Sequence, residues 1–68
     1  MTNLKLTRMV LGLKQWDLSQ KTGIPNYRIS NLENGRASPK PEELSILAQA
    51  LGTTPAALKG NFTGLEAA

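Results

Sequence analysis

Residues 15–35 read QWDLSQKTGIPNYRISNLENG, from Gln15 to Gly35, and the fold turns on how the break at Thr22-Gly23-Ile24-Pro25 is read. Apolar residues sit before the break at Leu18, inside it at Ile24, and after it at Ile29 and Leu32. The last two are three apart, the spacing that places side chains on one helical face. Polar residues that can hydrogen-bond in pairs (Asn26, Arg28, Asn31, Asn34) and one tyrosine, Tyr27, cover the rest of that second segment. The stretch therefore predicts two helices of eight or nine residues joined by three or four residues that include glycine.

Working outward, Leu4, Leu11 and Leu13 on one side, and Leu44, Leu47, Ala48, Leu51 and Leu58 on the other, continue the three- and four-residue spacing without any sustained alternation of period two. The chain is expected to be all-α. Gly12, Gly23, Gly35 and Gly52 are placed as left-handed residues just past helix ends. Pro41 and Pro55 suit a first helical turn, and Thr54 suits an N-cap. The result is five short helices at about 3–11, 15–22, 26–34, 41–51 and 55–59. Residues 1–60 form one domain, followed by a short tail, 61–68, expected to be loosely ordered unless Phe62 or Leu65 docks on the body or on a partner.

Composition narrows the function. With 68 residues there is room for one small domain. The absence of cysteine and histidine removes disulfides, thiolate metal sites and the usual general bases, so neither a metal nor a cofactor is expected. Glu42 and Glu43 are neighbours at a helix start, where they favour the dipole, and do not make a facing acid–base pair. An enzyme is not expected. No run approaches the roughly 20 apolar residues of a membrane span, and no basic-then-apolar leader opens the sequence, so a soluble, cytoplasmic protein is expected. The net charge is +3, but it is unevenly spread: residues 1–40 carry seven basic against two acidic side chains, and residues 41–68 carry one against three. A basic half of this kind suits a phosphate-bearing partner.

The length and composition of the Gly-Ile-Pro connection are those of a helix-turn-helix. Together with Arg8, Gly12-Leu13, Gln15, Leu18, Gly23-Ile24, Ile29-Ser30, Leu32-Glu33-Asn34-Gly35, Pro39 and Leu47-Ala48-Gln49-Ala50-Leu51-Gly52, it resembles the Cro and phage-repressor (XRE-like) type of DNA-binding domain over about residues 4–58. That resemblance implies a five-helix, lambda-repressor-like bundle whose third helix enters the major groove of double-stranded DNA. The residues agree on chemistry. Asparagine amides match adenine, a guanidinium matches guanine, and a tyrosine ring can meet a thymine methyl. Residues near the start of a recognition helix reach base edges, which favours Asn26, Tyr27 and Asn31 as readers, while Arg28 is open to a base or a phosphate.

Phosphate contacts are expected from Gln15, Asn34, Arg36 and Lys40, for different reasons. The resemblance implies that Gln15 holds the backbone and braces the recognition helix, and that Asn34 and Arg36 lie in a loop running along the DNA. Lys40 flanks the unit in a loop, where contacts set register without reading sequence. Lys14 and Lys21 are read as solvated charges. The resemblance further implies a structural ion pair, Arg8 with Glu33, and a dimer contact after the fourth helix, around Thr53, Thr54 and Leu58. Such a dimer would be weak and stabilised by DNA. Trp16 is open between packing and a phosphate contact. The expected function is a DNA-binding transcriptional regulator, in the family's habit a repressor, acting as a dimer on a two-fold operator. The alternative is an antitoxin or controller-type module whose main partner is another protein, met through Trp16, Phe62 and Leu65.

Overall fold

The computed structural model describes residues 2–59. Five α-helices follow one another: α1 Asn3–Val10, α2 Gln15–Thr22, α3 Asn26–Glu33, α4 Pro41–Leu51 and α5 Pro55–Lys59. They match the expected segments to within a residue, because the punctuation behaves as its chemistry requires. Gly23 and Gly52 close α2 and α4 with φ of 77° and 71°, a left-handed conformation that costs a residue with a Cβ roughly 1–2 kcal/mol. Pro41 opens α4 where its missing N–H is harmless, and Thr54 Oγ1 accepts from the Ala57 N–H at 3.2 Å as the expected cap. The residues before α2 and α4 are lysines, and their starts are satisfied from the other direction. Asp17 accepts from the Lys14 N–H at 2.9 Å and Glu43 from the Lys40 N–H at 2.8 Å, each carboxylate three residues into the first turn.

One core joins all five helices: Leu4 from α1, Leu18 from α2, Ile24 from the turn, Ile29 and Leu32 from α3, Leu44, Leu47, Ala48 and Leu51 from α4, and Leu58 from α5. α2 packs on both α3 and α4, α1 on α3 and α5, and α4 on α5. Leu11 departs from the expected core. It caps α1 and is half exposed, because the chain turns away there toward Gly12. Leu13 is only partly buried at the edge of the core.

α1 is also tied down at its start. Thr2, itself buried, accepts from the Lys5 N–H at 3.2 Å and donates at 3.0 Å to the carbonyl of Glu33, 31 residues away. One hydroxyl therefore serves as N-cap for α1 and as a clasp on the C-terminal end of α3.

Candidate nucleic-acid interface

The connection between α2 and α3 is closed by its own side chains. Thr22 Oγ1 donates to the Leu18 carbonyl at 2.8 Å and accepts from the Ile24 N–H at 3.2 Å, while Ser19 Oγ donates to the Ile24 carbonyl at 2.7 Å. Ile24 points inward between the two helices. Hydrogen bonds on the outside and an apolar plug on the inside fix the angle of α3 relative to α2, which is what a helix presented to a groove needs.

Ile29, Leu32 and Glu33 make the buried face of α3. Helical geometry then sends Tyr27, Ser30, Asn31 and Asn34, at i, i+3, i+4 and i+7, to the opposite side. Tyr27 is 71% exposed; Asn26 and Asn34 are also exposed, while Ser30 and Asn31 are half-buried. Asn34 Nδ2 donates to Ser30 Oγ at 3.3 Å along this stripe. Tyr27 and Asn31 thus share the outer side of α3, while Asn26, exposed at its first residue, lies in line with Ile29 and Glu33 and is open to solvent only because the helix begins there.

Arg28 is placed differently. Its Nε and Nη2 donate to the two carboxylate oxygens of Glu43 on α4 at 3.0 and 2.8 Å, and Nη2 also reaches the Ser38 carbonyl at 3.2 Å. The guanidinium expected to reach a base or a phosphate is engaged with α4 and the α3–α4 loop. The sequence carried no signal for this pairing beyond two opposite charges 15 residues apart.

The hydrogen bond from Arg28, more than any other influence, holds the Glu43 carboxyl below the ordinary carboxylate range. A depressed folded-state value contributes stability above the unfolded value, near 4.3, and loses it as pH falls through the folded one. Thermal melts should therefore decline on acidification below about pH 4. Glu43→Gln should flatten that part of the profile, and an unchanged decline in the variant would place the acid-sensitive group elsewhere.

Arg8 and Glu33 form the expected ion pair. Arg8 Nε and Nη2 donate to the two Glu33 carboxylate oxygens, and Nη1 donates to the Leu13 carbonyl at 2.6 Å. Gln15 Nε2 donates to Glu33 Oε1 at 3.0 Å. The half-buried Gln15 side chain thus bridges the start of α2 and the end of α3. Among the described residues no buried side-chain nitrogen or oxygen lacks a partner, so this polar cluster is fully satisfied.

Arg36 and Lys40 are exposed in the α3–α4 loop, as are Lys14 and Lys21 on either side of α2. Trp16, on the first turn of α2, is 63% exposed, so its ring is not part of the core. Of the residues expected at a dimer contact, Thr54 is exposed and Thr53 half-buried. Leu58 is fully buried in the core, so its side chain is already used within one copy of the chain. Phe62 and Leu65 lie outside the described residues. Among those described, no group of three or more acidic, histidine or cysteine side chains could hold a metal ion, and no helix is long and apolar enough to cross a membrane.

No solved structure matches the chain significantly. The helix-turn-helix family model matches residues 4–58, a span that includes nearly all of the five helices. With α2, the glycine turn and α3 in the arrangement described, the chain belongs to the Cro/C1-type helix-turn-helix family of DNA-binding regulators.

Proposed function

We propose that the protein is a sequence-specific transcriptional repressor that inserts α3 into the major groove and acts as a dimer on a two-fold operator. The observation that carries this reading is the outer side of α3. Tyr27 and Asn31 offer hydrogen-bonding and methyl-contacting groups there, with Asn26 exposed at the helix start, while Ile29 and Leu32 anchor the helix from behind. Two half-sites about one helical turn apart, roughly 34–36 Å, would double the few base pairs one module can read. Thr53 and Thr54 are the proposed contacts between copies, and the pairing is weak enough to need DNA. Gln15, Asn34, Arg36 and Lys40 are the proposed phosphate contacts.

Selection of bound sites from a random DNA pool tests the proposal. The expected result is an enriched two-fold motif, bound at least roughly 10³-fold more tightly than scrambled DNA. Steeply salt-dependent binding to every sequence, without enrichment, would overturn it and favour a protein partner instead. Arg36→Ala should weaken binding to all sequences about equally and lower the slope of log K against log salt by about one. A sequence-dependent loss at that position would move Arg36 from the phosphates to a base.

A further inference from the structure

Arg28 and Glu43 have no role in the operator-binding proposal, yet their geometry supplies one. Arg28 Nε and Nη2 lie side-on to the Glu43 carboxylate, and Nη2 turns its other hydrogen to the Ser38 carbonyl. Nη1 makes no hydrogen bond within the described residues. Because no buried side-chain nitrogen there lacks a partner, Nη1 is open to solvent, and its N–H donors are unused.

Glu43 is itself fixed. Its Oε1 also accepts from the Lys40 N–H at 2.8 Å, and the next residue, Leu44, is buried in the core. The carboxylate is thereby anchored at the start of α4, and it holds the plane of a long, otherwise flexible side chain at two points.

The held group also stands in a particular place. With about 3.6 residues per turn, Arg28 leaves α3 between Asn31 on the outer stripe and Leu32 in the core. A helix about 10–12 Å across fills a major groove about 12 Å wide. The outer stripe then meets base edges, while a side chain on the flank meets the phosphates at the edge of the groove. The bond to Ser38 sets the same guanidinium beside the loop that carries Arg36 and Lys40.

We propose that Glu43 is a positioning residue for DNA binding: it holds Arg28 so that Nη1 donates to a backbone phosphate at the edge of the groove that α3 enters. This rests on the reading of α3 as the helix in the groove. Glu43 keeps its grip during binding, since it does not use Nη1, and the guanidinium is oriented before DNA arrives. An acidic side chain beside DNA by itself weakens binding, so the positioning role reverses the sign expected for its removal.

The test uses the full chain and the selected site, with one phosphate at a time replaced by a neutral methylphosphonate. In the parent, one such replacement should weaken binding roughly tenfold and should have little effect on Arg28→Met, or on Arg28→Gln if the first variant does not fold. Glu43→Gln keeps an oxygen for the Lys40 N–H but sets an amide N–H₂ against the Arg28 donors. It should bind more weakly than the parent and lose most of its sensitivity to that phosphate. The phosphate should differ from those to which Arg36→Ala and Lys40→Ala become insensitive. If Arg28→Met silences only those same phosphates, Arg28 is a support for the loop and the proposal is overturned. Binding by Glu43→Gln as tight as the parent, or tighter, would overturn it too. If the parent enriches no site, the operator reading fails separately, and the contact is measured on scrambled DNA. There Arg28→Met should lower the slope of log K against log salt by about one, and an unchanged slope would count against the contact itself.

Discussion

Glu33→Ala should destabilise the domain by about 3–5 kcal/mol, the cost of leaving a buried charge without its partner. A chain of this length has only about 3–10 kcal/mol in total, so the variant should be largely unfolded at moderate temperature. The physical reason is the number of groups that converge on one carboxylate. Arg8 spends two donors on it and Gln15 one, and Glu33 is 3% exposed, so water does not replace what is lost. Urea denaturation followed by circular dichroism measures the loss directly. A paired substitution, Arg8→Met with Glu33→Leu, separates the cost of an orphaned charge from the worth of the pair. Because a buried pair can be exchanged for apolar side chains with little loss, the double variant should regain much of the stability. If Glu33→Ala instead melts like the parent, the cluster tolerates water and the pair is not structural.

Alanine at Asn26, Tyr27 or Asn31 should leave stability nearly unchanged and reduce discrimination between bases by about 1–3 kcal/mol at the position each one reads. The expectation of intact folding follows from placement, since Tyr27 and Asn31 lie away from the Ile29–Leu32 face and Asn26 is exposed at the first residue of the helix. Alanine is also the better helix former in their place. The measurement is binding to the selected site and to its single-base variants, with thermal melting of each protein alongside. Relaxed preference at one or two base pairs, with the melting temperature held, supports α3 as the reading helix. Uniform weakening across all variants would reassign the residue to phosphate contact, and unfolding would show that the side chain belongs to the core.

Arg28 is predicted to behave unlike these three. Its pair with Glu43 and its bond to the Ser38 carbonyl tie α3 to the loop that carries Arg36 and Lys40. Substitution there should disturb the loop as well as the helix, so a change in its binding profile cannot be read as the loss of one base contact.

What the amino-acid sequence determined by itself was everything set by neighbours a few residues apart. Four glycines, two prolines and the spacing of leucines and isoleucines located five helices to within a residue, because caps, turns and amphipathic faces are local chemistry. The outer residues of α3 were legible for the same reason: once Ile29 and Leu32 face inward, the stripe from Tyr27 to Asn34 must face outward. The tertiary structure alone decided which of two plausible partners a long side chain takes. Arg28 turns to Glu43, Leu58 goes wholly into the core, Trp16 stays outside it, and Thr2 clasps the end of α3. It also decided which side of α1 is buried. Leu4 on one side and Leu6, Met9 and Val10 on the other make that helix apolar on opposite sides, and its crossing with α3 and α5 selects Leu4 for the core and leaves Leu6, Met9 and Val10 outside. Such choices depend on the angles at which helices meet, and those angles are set by packing between residues far apart in the chain.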